Sequence, residues 1–392
     1  MSCQYPENAL YWKKFNVRTD YIVIRQAHTD NLRDIEVLPS VNHCKILVIM
    51  EKEIYLAGGC FWGAEHYLKK LEGVTFTQTG FANGNTDRPT YKEVYTDTTG
   101  YAETVLVRYD PDILSLCFLI EMFFKAIDPL SLNKQGEDSG TRYRTGIYYT
   151  DAADLPFIKY IFDGEEAKAG KPLAVEVLPL KNWWPADEYH QDYLDKHPDG
   201  YCHLPQSLFD LAAGAKCPMR KVRDFLEENG IGYDIHFHPP LFTITEALSY
   251  WKDIDSVHCK NIFMRNHKGN RHYLVSYECH KELDIHSLEH KLHQGKLSFA
   301  SPERMQRCLG VRPGSVSVFG LINDMDLSDA GSKELFDNGH RVKLYLDSGL
   351  REAERVSFHP CDNSASVVIT QDGLRRFLEL WGGEVEWLEF ND

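Results

Sequence analysis

The pattern of apolar and polar positions changes character at residue 50. Residues 1–49 show no clear periodicity and carry turn-forming polar stretches, Gln4-Tyr5-Pro6-Glu7-Asn8 and Ala27-His28-Thr29-Asp30-Asn31. Met50 then precedes Glu51-Lys52-Glu53 and a clean strand pattern, which leaves two readings of residues 1–49, a functional leader or an upstream over-translation. From Ile54 the pattern predicts a strand over 54–57, a Gly58-Gly59 turn, and a helix over 60–71 that Gly73 ends, with Leu68 and Leu71 on its apolar face. A strand is expected over 104–109, and Asp110-Pro111-Asp112 is expected to cap a strongly apolar helix that reaches Ala126. Strands over 146–150 and 174–178 with a helix between them, then a helix over 185–196 and an irregular Gly200-Tyr201-Cys202 tail, complete an α/β (α+β) layered domain over 50–206.

Residues 212–218, Ala-Ala-Gly-Ala-Lys-Cys-Pro, are small and turn-rich, so a linker is expected over 207–218. Beyond it the pattern predicts a helix over 219–229 stopped by Gly230. Strands follow over 233–238, 260–265, 272–277, 315–321, 341–346, 355–358 and 365–370, with helices between several of them and one over 371–380. The result is a mixed α+β sheet domain over 219–392.

Composition narrows what these domains do. A chain of 392 residues exceeds what one core usually organises, and 43% apolar with 12% aromatic residues supplies two ordinary cores. A formal net charge of −15 disfavours nonspecific binding to nucleic acid, DNA included, or to anionic membrane, although a local basic patch remains allowed. The longest apolar runs, over 44–50 and 114–120, are too short to cross a bilayer, and the first residues lack the pattern of a signal peptide, so a cytoplasmic location is expected. Ten cysteines, at 3, 44, 60, 117, 202, 217, 259, 279, 308 and 361, include no C-x-x-C pair or clustered histidine partner, and no metal is expected. In a reducing compartment most are expected to be small core residues, and the question becomes which one does chemistry.

Cys60 is the strongest candidate. In Gly58-Gly59-Cys60-Phe61-Trp62-Gly63 it sits where a strand turns into a helix. The glycines allow a tight turn, and unpaired N–H groups with the helix dipole favour a thiolate in the first turn. Phe61 and Trp62 offer an apolar wall suited to a methyl-thioether. Three more segments follow in order: Tyr91-Lys92-Glu93-Val94 running into Gly100-Tyr101-Ala102-Glu103, then Gln135 to Arg144, then Trp184 to Leu194.

Over about residues 53–205 these motifs resemble the peptide methionine sulfoxide reductase family of the A type. The resemblance implies a two-layer sheet and helix sandwich, no bound cofactor, methionine sulfoxide-containing proteins as substrates, and an external thiol reductant such as thioredoxin. It further implies that Cys60 attacks the sulfoxide sulfur while Glu103, Tyr91 and Tyr143 polarise the oxygen, that Glu103 is protonated, and that Asp138 organises the site. Phe61 and Trp62 would then hold the substrate. Cys202 matches the resolving thiol that removes the sulfenic acid, with a flexible tail closing the distance, and Cys217 is a weaker candidate for recycling. Members often carry His where Tyr101 stands here.

The second domain says less by residue type alone, since Lys260 followed by Asn261 reads first as an exposed edge charge. The ordered set His238-Pro239-Pro240 with Thr243 to Ala247, Lys260-Asn261-Ile262-Phe263, Gly310 to Ser317 and His359 to Asn363 resembles the prolyl-tRNA editing family of aminoacyl-tRNA deacylases over about residues 219–390. That resemblance implies hydrolysis of a mischarged aminoacyl ester by water, with the tRNA acceptor end as partner. Lys260 and Asn261 would supply donors, the loop from Gly310 to Gly314 would bring backbone N–H groups close to the ester, and His359 and Asn363 would line the pocket. Three functions stay open: a reductase, primarily a tRNA hydrolase, or a reductase whose second domain only binds tRNA.

Overall fold

A computed structural model describes residues 21–26 and 45–390 except 242, 294, 329–330 and 332–333. It divides into two compact units, 1–215 and 216–392. Most of the segment read as aperiodic over 1–49 lies outside the described residues, but Tyr21–Gln26 and Lys45–Met50 pair as parallel strands. No described helix is long and apolar enough to cross a membrane.

In the first unit one mixed sheet is built from β1 (Lys52–Gly58), β2 (Val74–Ala82), β3 (Ala102–Tyr109), β4 (Thr145–Tyr149), β5 (Glu176–Pro179) and β6 (Trp183–Pro185), in the order β6-β2-β3-β1-β4-β5. Only the β4–β5 contact is parallel. β3 is buried along almost its whole length because it has neighbours on both edges and apolar layers on both faces. α1 (Phe61–Leu68) follows β1 directly, and α2 (Tyr91–Tyr95) is started by a capping box in which Thr90 and Glu93 bond reciprocally. α3 (Leu116–Lys125) and α4 (Leu155–Ala169) pack on each other.

Three expectations are corrected here. The apolar helix over 116–125 is capped by Ser115, whose hydroxyl accepts the Phe118 N–H at 3.2 Å, while Asp110 to Asp112 form a turn before it. The helix expected over 185–196 is broken into β6, a short 3-10 turn at Glu188–His190 and α5 (Tyr193–Lys196). Its breakers are Asp192 in the left-handed region at φ 52 and Gln191, whose side-chain amide pairs with the Thr79 backbone at 2.9 and 3.0 Å. The stretch read as a linker over 207–218 is largely helical, as α6 (Gln206–Gly214), with α7 (Pro218–Glu228) starting at its end.

The second unit is a larger mixed sheet. Its strands β7 (Tyr233–Phe237), β8 (Val257–Arg265), β9 (His272–Glu278), β10 (Ser298–Phe299), β11 (Val342–Asp347), β12 (Arg355–Phe358), β13 (Ala365–Thr370) and β14 (Val385–Leu388) run in the order β7-β13-β12-β8-β9-β11-β14, with β10 on β8. After α7 come α8 (Ile244–Trp251), α9 (Ile285–Leu292), α10 (Pro302–Leu309) and α11 (Gln371–Trp381), and one face of the sheet packs Val222, Leu226, Leu309 and Phe377 from α7, α10 and α11 into the main core. The segment expected as a strand over 315–321 is instead a 3-10 helix, Val318–Asp324. The Ser317 hydroxyl accepts the Phe319 N–H at 3.1 Å, and Gly320 lies close against Leu309, so the run coils rather than extends.

Candidate functional sites

The geometry around Cys60 follows from where β1 stops. Gly59 takes φ +82, and a side chain there would strike Gln135, so the chain turns sharply and leaves Cys60 as the residue preceding α1. Its thiol is buried and free. Burial pushes its pKa well above the usual thiol value, Glu103 beside it pushes the same way, and the Trp62 and Gly63 N–H groups oppose them without winning. This corrects the expectation of a resting thiolate. Helix N–H groups lower a thiol's pKa only where their effect exceeds desolvation, and here desolvation is larger.

Glu103 lies on β3, the neighbour of β1, and is 1% exposed. Its Oε2 accepts the Phe61 N–H at 3.1 Å, while its Oε1 is buried without a partner. Burial raises its pKa to about 8; the Phe61 bond and the Arg142 charge restrain the rise. The carboxyl is therefore mostly neutral at pH 7. Tyr91 and Tyr143 face the same carboxyl, and burial followed by its charge raises both phenols, so both keep their O–H protons. Tyr91 is delivered by the first residue of α2, and Tyr143 by the 3-10 turn Thr141–Tyr143 that enters β4.

An aromatic enclosure surrounds this group. Trp62 stacks on Tyr193 with centroids 3.8 Å apart, Tyr91 stacks on His190 at 4.4 Å, and Phe61 lies 5.5 Å from His190. His190 is buried, its Nδ1 has no partner, and burial lowers its pKa, so it behaves as a neutral ring. His190 and Tyr193 lie inside the motif from Trp184 to Leu194, where the sequence gives neither a role. Arg142 was likewise missed. Its guanidinium lies 4.1 and 4.4 Å from the rings of Tyr95 and Tyr143 and bonds Asp97 at 2.8 Å, which sets the position of the turn carrying Tyr143. The signal for all three was their position inside the ordered motifs, but nothing local distinguished ring wall from core.

Asp138 sits at the rim, where Tyr201 donates to it at 3.2 Å and His203 Nδ1 lies 3.7 Å away. Cys202 is held between these two residues, with its Sγ accepting the Leu204 N–H at 3.4 Å. Cys217 is buried at the start of α7, in the other unit.

In the second unit Lys260 lies on interior strand β8, on the face that also carries Ile262 and Met264. Its Nζ donates to the Lys281 carbonyl at 3.3 Å and sits 5.8 Å from the Tyr277 ring. Asn261 points to the other face, and its Oδ1 is buried without a partner, as is Oδ1 of Asn363. His359 is turned to the Ala365 carbonyl at 2.9 Å, and its pKa is lowered by burial. His238 lies 5.8 Å from His359 and is bound to Ser366 at 3.0 Å, which in turn accepts the Trp251 N–H at 3.2 Å. Burial first of all holds His238 at about 4. Gly310 has a local reason to be glycine: it closes α10 at φ 64 against the Asn323 side chain, which bonds the Leu309 carbonyl. Gly314 also takes positive φ, at 85. Of these, His238 and His359 come together. One group among the described residues could hold a metal ion: ligand atoms of Glu278, Cys279 and His280 lie within 4.8 Å of one another on a turn.

Comparison with known proteins finds a family described as Peptide methionine sulfoxide reductase matching residues 52–216 and one described as Aminoacyl-tRNA editing domain matching 238–377. A peptide methionine sulfoxide reductase MsrA from Clostridium acetobutylicum is 53% identical over 157 residues, which is 40% of this chain and 97% of that protein. The crystal structure of Mxr1 from Saccharomyces cerevisiae in reduced form is 39% identical, covering 39% of this chain and 88% of that one, with a TM-score of 0.38. A putative trans-editing enzyme for prolyl tRNA synthetase is 21% identical, covering 46% of this chain and 99% of that one, with a TM-score of 0.33.

Proposed function

We propose that this chain, which belongs to the peptide methionine sulfoxide reductase family and is an oxidoreductase acting on sulfur, reduces the S epimer of free and protein-bound methionine sulfoxide with Cys60 as nucleophile. The observation that carries this reading is Glu103 Oε1, a buried acid oxygen without a partner beside the Cys60 thiol. An orphaned buried oxygen on a neutral acid is a donor waiting for an acceptor. The sulfoxide oxygen is that acceptor, with Tyr91 and Tyr143 as further donors on the same side. The substrate methyl group rests on Phe61 and Trp62.

The proton count closes without an outside acid. Glu103 gives its proton to the sulfoxide oxygen as Cys60 sulfur bonds to the substrate sulfur, and the proton leaving Cys60 returns to Glu103. The oxygen then passes to Cys60, so thiol and sulfoxide become sulfenic acid and thioether. A resting thiol suits this exchange, since each neutral group supplies one proton and no charge is left buried. Cys202 displaces water from the sulfenic acid to form a disulfide, and an external dithiol of the thioredoxin type restores both thiols. Asp138 organises the rim segment that holds Cys202. We place this cycle in a reducing, cytoplasmic setting, where eight described cysteines remain free thiols. S-specific turnover with a dithiol, lost in Cys60→Ser, is the expected result; turnover of the R epimer alone would overturn the reading.

The match to the editing domain favours a second activity in the same chain, hydrolysis of mischarged aminoacyl-tRNA by water. Lys260 and Asn261 are its proposed donors and His359 with Asn363 its pocket. The loop from Gly310 to Gly314 would approach the ester with its backbone, and the acceptor end of tRNA is the partner. Release of an amino acid from mischarged tRNA by wild type and not by Lys260→Ala tests it; tRNA binding without release would leave a binding module.

A further inference from the structure

The segment from Asp192 to Ala212 is fastened along α1 at both ends. Glu65, buried in α1, accepts the Asp192 N–H at 2.9 Å and the Thr77 hydroxyl at 3.2 Å. Lys69 pairs with both Asp192 and Asp195. Further along, the His66 ring meets Phe209 of α6 edge-on at 4.8 Å. Cys202 lies between these anchors, so it is not on the free tail that the sequence suggests.

The place where it rests is decided by one missing side chain. A Cβ on Gly63 would stand 2.9 Å from Cys202 Sγ and 3.6 Å from both His203 Cε1 and Leu204 Cγ. Real Cβ atoms do not approach that closely, so any other residue at 63 displaces the thiol. Gly63 is the third residue of α1, and its backbone N–H, like that of Trp62, bonds the thiol of Cys60 just before the helix. Cys202 therefore waits over the first turn of α1, which the nucleophile directly precedes. Glycine is a poorer helix former than alanine, yet it occupies an interior position of an eight-residue helix.

We infer that Gly63 is a positioning residue for the second half-reaction: its bare Cα forms the seat in which Cys202 is held ready for the sulfenic acid of Cys60. This rests on Cys202 as the resolving thiol. The step it serves bonds Cys202 sulfur to Cys60 sulfur and breaks the S–O bond; the hydroxyl leaves as water with the Cys202 proton. Holding both sulfurs over one helical turn replaces a chance encounter by a local one, and that is the source of the rate. The anchors at Lys69 and Phe209 keep the seat filled.

The full chain, fully reduced, is mixed with one equivalent of S methionine sulfoxide. Methionine release reports the first step, and alkylation followed by peptide mapping times the Cys60–Cys202 disulfide. In Gly63→Ala the disulfide is expected at least tenfold more slowed than the methionine burst, although alanine favours the helix. Lys69→Met is expected to keep the burst and slow the disulfide several-fold. A disulfide forming in Gly63→Ala at the wild-type rate, or slowed only as much as the burst, would overturn the inference alone. Absence of a Cys60–Cys202 disulfide in wild type would remove the assignment of Cys202 and the inference with it.

Discussion

Glu103 in the first unit and Lys260 in the second both stand on interior strands of mixed sheets, yet they are kept in opposite conditions. Glu103 is fully buried, mostly neutral at pH 7, and has one oxygen with nothing to bond. Lys260 is half-buried, and its ammonium is already engaged with the Lys281 carbonyl and the Tyr277 ring. Under the proposed function the first group meets a small uncharged acceptor without giving up a bond. The second has two further N–H donors for the ester of the proposed activity, but its position is already set by the carbonyl it bonds. Preorganisation is therefore stronger at the sulfur site, where the acid, two phenols and the thiol converge from β3, α2, a 3-10 turn and the start of α1.

The comparison breaks most completely at Cys60. Cys60→Ser should abolish sulfoxide reduction, a loss of more than about a thousandfold, while leaving release of amino acid from mischarged tRNA unchanged, as assays of both activities on one preparation will show. Glu103→Gln comes next, with an expected loss of roughly a hundredfold or more in the first-turnover rate. Its pH profile sharpens the point. The Glu103 carboxyl is raised to about 8, so the acid form is present below that pH and the wild-type rate should fall as pH climbs through it. Glutamine cannot titrate, and that limb should be absent in the variant. For the second unit, Lys260→Ala should lower deacylation by about a hundredfold and leave the sulfoxide burst intact; a small effect would mean the parked lysine is not the donor. The smallest expected effect is Thr90→Ala, which removes half of the capping box that starts α2. It should cost about 1 kcal/mol in local stability and slow the burst a few-fold through Tyr91, measurable by hydrogen exchange in α2 beside the rate.

Local chemistry made much of this legible. The Gly58-Gly59-Cys60 turn, the strand expected over 104–109 and the helix expected over 371–380 follow from glycine placement and apolar period, and each is found within a few residues of its expected bounds, the strand starting early enough at Ala102 to take in Glu103. The failures have physical causes that no local pattern carries. Residues 185–196 contain helix-forming residues, but Gln191 finds a better partner in the Thr79 backbone more than a hundred positions away. The 315–321 run has strand-like residues, but Ser317 and Gly320 coil it against Leu309. His190 and Tyr193 read as ordinary aromatics until stacking places both against Trp62.

The sequence by itself determined which residue types carry the chemistry and in what order they occur, because turn formation, capping and thiol reactivity are properties of neighbours along the chain. Only the tertiary structure decided the charge states. Cys60 is held as a thiol and Glu103 as an acid because burial withdraws water from both, and burial is a property of everything packed around them. It likewise decided that Cys202 is docked against Gly63, since the contact joins residues 139 positions apart, a separation that only folding closes.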